Sequence, residues 1–292
     1  MSDELLMDLA DCRFPEQLLA VIFKHHPQWT TPIPVDGLAR TVNVTEIREL
    51  DDDSFEGALV TNPGKTQGVI FYKAGVREER RRFTVAHELG HFLIPSHDGN
   101  RQCTTADLRE SRRDNEHRRR EAEANRFAAG LLMPRDWFSR DLDRLGDADV
   151  THAQTLAKQY RTSLEATCNR YTELTPDSCA FVFSKDGVIR YLRPTTNFPS
   201  LAMKRGDRLP VGCASLRAGS QPPRVASDWA EIDGSVWLRA EWGSKSPKVL
   251  EQTVKQNNGY QVSLLFIDAA ALEEDDDEAA VDKSWEVRFH RR

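Results

Sequence analysis

The first hundred residues carry short runs of β-branched and aromatic residues that are separated by turn-forming residues. The runs cover residues 44–50, 57–60 and 68–72, and the turns between them are residues 51–53 and Asn62-Pro63-Gly64. Runs of this length that are bounded by Asp, Asn, Pro and Gly are typical of strands. We therefore predict a small sheet in this part of the chain.

From Arg77 onward the apolar positions recur with helical spacing. They are typical of a helix with one buried face, and Pro95 ends that helix. A second long helix is predicted over residues 113–133, because Pro134 stops it in the same way. The stripe of the first helix consists of Phe83, Ala86, Leu89, Gly90 and Leu93. Shorter helices are predicted at residues 137–144, 153–160 and 164–174.

The helical pattern ends at Thr175-Pro176-Asp177, and strand-like runs return after it. We predict an α+β protein in three segments: an N-terminal domain of residues 1–148, a helical linker of residues 149–176, and a strand-rich C-terminal domain of residues 177–292. The runs in the last segment that we interpret as strands are residues 179–183, 188–192, 236–242 and 260–267.

Composition excludes several classes of protein. The chain has 292 residues, of which 39% are hydrophobic and 29% charged, so it can bury a core and is not expected to be disordered. Apolar runs such as residues 264–267 are far shorter than the ~18 residues that a bilayer helix needs. The first ten residues carry three acidic and no basic side chains, so we expect no secretory signal and a cytoplasmic protein.

Charge and cysteine content exclude further kinds of site. The net charge of -6 equals the charge of the acidic run 273–278, so the rest of the chain is neutral overall. We expect that run to be a solvated loop before a last strand at residues 285–290. The five cysteines are scattered and never in C-x-x-C spacing, which argues against a disulfide framework or a four-cysteine zinc site.

The predicted first helix contains the pentad His87-Glu88-Leu89-Gly90-His91. Residues four apart lie on one helical face, so His87 and His91 can bind one metal ion. Two imidazoles with one carboxylate leave a fourth position for water, which is the arrangement of a catalytic zinc site. Glu88 is then the candidate general base that takes the proton of that water and passes it to the leaving amine.

The third ligand is open among three downstream residues. His97 stands at the spacing of a longer zinc motif, but Ile94 occupies the position where that motif needs glycine for a sharp turn. His117 and Glu121 lie one turn apart on the second long helix. Glu121 borders the apolar face of that helix, and Asn125 lies one turn further on, where it could orient a ligand. We therefore favour a His₂Glu site with Glu121, whereas Glu123 lies nearer the solvent face.

Two segments carry a family resemblance. RRFTVAHELGHFLIPSH (residues 81–97) and EAEANRFAAGLLMP (residues 121–134) match, in order and at compatible spacing, the two halves of the motif of the ImmA/IrrE family. The chain resembles these zinc metallopeptidases most closely over residues 77–137. The resemblance implies a zincin-like N-terminal domain, with zinc on His87, His91 and Glu121 and with Glu88 as the catalytic glutamate. Beyond Pro176 the likeness is faint, and it is to the GAF-like C-terminal domain of IrrE-type regulators.

The resemblance also implies a substrate. Members of the family cleave a helix-turn-helix transcriptional repressor in trans and so release stress-response, prophage or mobile-element genes. We expect a DNA-damage or stress regulator first and a repressor protease of a prophage or mobile element second. The rival from another class is a non-catalytic DNA-binding or sensing protein that keeps a zinc-site scaffold, and the intact Glu88 argues against it.

Other signals in the sequence are weaker. Residues 156–171 resemble a helix-turn-helix, but Arg161 occupies the turn position expected to be Gly, and the charge is too small for strong attraction to phosphates. The arginines of residues 109–120 alternate with acids, as on a solvated helix face, so we do not expect direct DNA binding. Cys103 could ligate the open zinc position, although a thiol without that role is the expectation. Tyr72 and His117 are candidates for stabilising the oxyanion.

Overall fold

A computed structural model describes residues 2–97, 99–109, 115–217, 222–239 and 246–268. The α-helices are α1 (Ser2–Ala10), α2 (Pro15–His25), α3 (Val35–Thr41), α4 (Glu78–Leu93), α5 (Glu116–Leu132), α6 (Arg135–Asp143), α7 (Val150–Tyr160), α8 (Leu164–Leu174) and α9 (Ala214–Arg217). The strands are β1 (Val44–Leu50), β2 (Gly57–Thr61), β3 (Gly68–Lys73), β4 (Arg101–Cys103), β5 (Cys179–Lys185), β6 (Val188–Pro194), β7 (Ala230–Ile232), β8 (Val249–Lys255) and β9 (Tyr260–Phe266).

The chain forms two compact units that interleave along the sequence. Unit 1 consists of Met1–Arg140 and Leu156–Ala166, and unit 2 consists of Asp141–Thr155 and Thr167–Arg292. Helices α7 and α8 lie in the segment that the sequence predicts to be a linker, residues 149–176. Each of these two helices is itself divided between the units.

Unit 1 contains a four-stranded mixed sheet in the order β1-β3-β2-β4. Strand β3 pairs with β1 in parallel and with β2 antiparallel, and β4 extends the other edge of β2. Helix α4 packs against β2 and β3. Gly68 permits this approach, because a Cβ there would lie 3.2 Å from the ring of Phe92.

Helices α4 and α5 pack closely against each other in unit 1. The apolar positions of α5 that the sequence assigned to one face are completely buried. Gly90 of α4 faces them, and a Cβ at this position would lie 3.1 Å from the Phe127 side chain and 3.3 Å from Cα of Ala124. This glycine allows the two backbones to approach, which brings the polar side chains of the two helices together at one point. The buried apolar residues of α5 are Ala124, Phe127, Ala128, Leu131 and Leu132.

Unit 2 contains a five-stranded antiparallel sheet in the order β6-β5-β9-β8-β7. The interior strand β5 is buried on both faces, which explains its continuous apolar sequence. One polar group is also fully buried here: the Glu251 carboxylate accepts hydrogen bonds from backbone N–H of Ala214 and Ser215 and from the Trp237 indole N–H.

The structure is α+β with small sheets, as predicted, and it differs from the sequence expectations in several elements. Strand β8 and the N-terminal helix α1 were not predicted. The predicted strand 236–242 was wrong in its described part, because the Asp233 side chain accepts the backbone N–H of Ser235 and starts a 3₁₀ turn at Gly234–Val236. The acidic run 273–278 and the predicted strand 285–290 lie outside the described residues.

Helices α7 and α8 are joined by a short turn in which Arg161 adopts a left-handed conformation with φ 49°, at the position where glycine was expected. Among the described helices, none is long and apolar enough to cross a membrane.

Candidate metal centre

Three completely buried side chains of α4 and α5 bring ligand atoms to one point. Nε2 of His87 lies 3.0 Å from Nε2 of His91. The Glu121 Oε2 atom lies 3.2 Å and 3.4 Å from these two nitrogens. The structure therefore brings together the two histidines of the pentad and the carboxylate that the sequence favoured as third ligand.

The outer nitrogens of the two histidines contact groups that define their tautomers. Asn125 Nδ2 donates to the backbone carbonyl of Asp107 at 2.9 Å, so its Oδ1 is the atom that lies 2.9 Å from His87 Nδ1. An amide oxygen only accepts, so His87 Nδ1 must donate. The Nε2 of a neutral His87 then has a lone pair, which faces His91 Nε2 and the Glu121 carboxylate.

His97 is adjacent to the ligand atoms without being one of them. Its Nδ1 lies 2.9 Å from Nδ1 of His91, and its Nε2 lies 3.0 Å from Glu123 Oε2. A proton on Nε2 of His97 donates to the carboxylate, and Nδ1 of His97 then accepts from His91. This chain fixes the ring of His91 with its Nε2 lone pair toward Glu121, as hydrogen bonds to the outer nitrogens of metal-binding histidines commonly do.

The donor set fits a divalent cation. With both protons on the outer nitrogens, the Nε2 lone pairs of the two imidazoles and the Glu121 carboxylate face one point, and a cation shared between them satisfies all three. Donor atoms around tetrahedral zinc with bonds of about 2.1 Å lie about 3.4 Å apart. The distances between the three atoms, 3.0 to 3.4 Å, match such an arrangement.

Glu88, which follows His87 in the chain, is completely buried. Its Oε1 occupies the space next to Gly57 on β2, where a Cβ would come within 2.5 Å of the carboxylate. Residue 57 must therefore be glycine, because the Glu88 carboxylate occupies the space that a Cβ would need. The lack of a side chain at residue 57 gives the carboxylate room at the edge of the sheet.

Two further residues contact the centre: Cys103, which the sequence analysis considered as a ligand but did not expect to be one, and Lys65, which it did not consider. Cys103 on β4 is completely buried, and its Sγ lies 3.9 Å from both His91 Nε2 and Glu121 Oε2. Lys65, in the turn between β2 and β3, donates from Nζ to the carbonyls of His91, Ile94 and His97 at 2.8 to 3.0 Å. No local pattern reveals these contacts, since each depends on how distant segments pack.

The two candidates for oxyanion stabilisation differ in position. His117 Nδ1 lies 3.9 Å from Glu121 Oε1, and its Nε2 lies 3.0 Å from Asp107 Oδ1, with a side chain that is 57% exposed. The guanidinium carbon of Arg81 lies over the Tyr72 ring, 4.9 Å from the centroid of that ring. His117 is thus next to a ligand at the solvent side, while Tyr72 contacts the first turn of α4.

A solved structure shares the fold of this chain. A Mycobacterium tuberculosis transcriptional regulator superposes with a TM-score of 0.57 over 91% of this chain and 81% of that chain, at 16% sequence identity. At this identity the likeness shows a common fold.

Sequence comparison reveals closer relationships. Residues 44–172 match the peptidase family described as the IrrE N-terminal-like domain. The radiation response metalloprotease IrrE of Deinococcus radiodurans is 33% identical over 113 residues, which are 37% of this chain. The match spans about a third (32%) of that relative's length. The matched family region, residues 44–172, contains the pentad, helix α5 and the cluster just described, and over this region the chain is similar to the IrrE-type peptidase domain.

Proposed function

We propose that this protein is a zinc-dependent endopeptidase that cleaves a helix-turn-helix transcriptional repressor in the cytoplasm and so derepresses DNA-damage and stress-response genes. The observation that carries the proposal is the buried convergence of His87, His91 and Glu121, with the buried Glu88 next to His87 in the chain. A structural metal site needs no general base, so the buried Glu88 favours a catalytic role.

The metal that the three ligands would hold is zinc. Bound there, zinc supplies an activated water and a polarised carbonyl. The chain supplies the proton transfer, because Glu88 takes the proton of the attacking water and delivers it to the leaving amine. This step contributes roughly 10² to 10⁴ in rate. His97, Glu123 and Asn125 hold the two imidazoles in the tautomers that present Nε2.

The substrate class rests on the family resemblance and on the relative from Deinococcus, whose name describes a metalloprotease of the radiation response. We propose that unit 2 is a GAF-like sensor domain. When its five strands are numbered along the chain from β5, their order across the sheet is 2-1-5-4-3. This order supports the faint likeness of the C-terminal sequence to such domains. We do not propose direct DNA binding.

The proposal is tested with purified zinc-loaded full-length protein and the helix-turn-helix repressors encoded in its own genome, those of prophages included. We expect one repressor to be cut at a single position, which mass spectrometry of the products maps. The Glu88→Gln variant under the same conditions is the control for a contaminating protease. If no repressor is cut while zinc is bound in full, the proposed substrate class is wrong.

A further inference from the structure

Cys103 lies at the position that a fourth ligand would take in the metal centre. Its Sγ is 3.9 Å from His91 Nε2 and from Glu121 Oε2. The ligand atoms of His87, His91, Cys103 and Glu121 all lie within 4.8 Å of one another, and all four side chains are buried. A sulfur bonded to zinc at about 2.3 Å lies about 3.6 Å from the nitrogen ligands, close to the observed separation.

The backbone fixes Cys103 in this place. The residue pairs with Gly57 across β2 and β4, and its carbonyl accepts the backbone N–H of Glu56 at 2.8 Å. On the other side, the Thr104 backbone N–H and hydroxyl both donate to Asp107 Oδ2 at 2.8 Å. Hydrogen bonds thus hold the chain before and after the thiol, and the β-strand directs it at the ligands rather than at solvent.

We propose that the Cys103 thiolate is the fourth protein ligand of the metal in the resting protein. The inference rests on the metal site of the proposed function and adds regulation to it. A thiol loses its proton to solvent when it binds a metal, and imidazole, carboxylate and thiolate are all accepted zinc ligands. Four protein ligands close the coordination shell, as in structural zinc sites, and leave no position for water.

Closure of the site makes the resting enzyme latent. Cleavage would then require the Cys103 thiolate to leave the metal and to take up a proton from solvent, while a water molecule takes the vacated position. The latent state is therefore distinct from a site that lacks its metal or its base.

X-ray absorption at the zinc edge of the full-length protein tests the assignment, since it reports ligand atoms independently of activity. We expect one sulfur scatterer at about 2.3 Å in the wild type. The sulfur should be absent in Cys103→Ser, where zinc is retained, and present in Cys12→Ser, which changes another buried cysteine of unit 1. Cobalt substitution gives a second readout, because thiolate ligation adds a charge-transfer band in the near ultraviolet.

The outcomes separate the two proposals. Bound zinc with only nitrogen and oxygen neighbours in the wild type overturns the Cys103 assignment and leaves the peptidase proposal standing. A wild-type protein that takes up no zinc overturns the metal site and the assignment together. The wild-type spectrum alone is decisive if a variant fails to fold. If the Cys103 thiolate keeps the resting enzyme latent, the Cys103→Ala variant should cut the repressor several-fold faster than the wild type. Equal cleavage rates in the two proteins contradict latency.

Discussion

At the scale of single residues, His87 and Glu88 are neighbours in sequence to which we assign separate tasks. The imidazole of His87 points into the ligand cluster, and the Glu88 carboxylate lies beside the sheet at Gly57. A helix turns by about 100° per residue, so adjacent side chains diverge and can serve metal binding and proton transfer separately. Metal content and proteolysis should therefore respond differently to substitution at these two positions.

Substitution of Glu88 by Gln should leave the zinc content unchanged and lower the rate of repressor cleavage by a factor on the order of 10² or more. The amide keeps the shape of the side chain but cannot accept the proton of water. Zinc per chain and the cleavage rate are measured on the same preparation. A variant that cuts at nearly the wild-type rate would refute the role of Glu88, and Glu88→Asp tests whether a displaced carboxylate restores part of the rate.

The chain from His91 through His97 to Glu123 leads to a second prediction. His97→Ala removes the acceptor that faces His91 Nδ1, and we expect zinc affinity to fall about 10- to 100-fold. Competition with a chromogenic chelator measures this affinity. The His97→Asn variant offers a polar atom to His91 but not to Glu123. Its zinc affinity should therefore lie between that of the wild type and that of His97→Ala. Unchanged affinity in His97→Ala would show that His97 does not orient the ligand.

At the scale of elements, the C-terminal end of α4 is held by a residue from a distant turn. The Lys65 ammonium donates to three carbonyls at or just beyond the last turn of the helix, where the helix dipole favours positive charge. One of these carbonyls belongs to the ligand His91 and another to His97. The cap therefore links the turn between β2 and β3 to the metal centre.

Replacement of Lys65 by Met should lower the free energy of unfolding by about 2 kcal/mol, because it removes charged hydrogen bonds at the helix end. Urea unfolding followed by circular dichroism measures the loss. Lys73→Met is the matched control, since the Lys73 ammonium pairs with the exposed Asp53, and a surface pair of this kind contributes little. Equal stability of the two variants would contradict the capping role.

The sequence allowed prediction of the parts of the site that depend on local spacing. His87 and His91 follow from the helical repeat, and the position of Glu121 on α5 follows from the apolar face beside it. The sequence disfavoured His97 as a ligand because Ile94 takes the glycine position of the longer motif, and no local signal indicated that the loop returns His97 to His91 Nδ1. Cys103 depends on the pairing of β4 with β2, which joins residues more than forty positions apart.

The missed strand β8 illustrates the same limit. Its sequence VLEQTVK places three polar residues in succession, which does not resemble a buried strand. Glu251 is nevertheless fully buried because Ala214, Ser215 and Trp237 donate to it. The donors lie 14 to 37 residues from Glu251 in sequence. The sequence of the strand alone therefore does not show that a charge can be buried there.

At the scale of the whole molecule, the chain passes between the two units three times, after Arg140, Thr155 and Ala166. No single cut separates the units. Within unit 2 the ring of Tyr171 packs against Phe181 of β5 with centroids 5.4 Å apart, so α8 loses its packing partner when the strands are removed.

A fragment of residues 1–176 should therefore not fold cooperatively. Truncation there exposes the buried face of α8, including Cys168 and Tyr171, and removes the sheet that covers it. Thermal unfolding followed by circular dichroism, with the full-length chain for comparison, tests this expectation. A fragment with a sharp transition and a full complement of zinc would contradict it, and would show that residues 149–176 behave as a separable linker.

The most direct test of the metal centre is the zinc content of two variants on the same helix. Glu121→Gln removes the carboxylate that faces both imidazole nitrogens, whereas Glu123→Gln changes a residue two positions away that pairs with His97 and Arg119. Inductively coupled plasma mass spectrometry on proteins dialysed against the same weak chelator gives zinc per chain. The account predicts one zinc in the wild type, a large loss in Glu121→Gln and most of the zinc retained in Glu123→Gln. Full zinc in Glu121→Gln would contradict it.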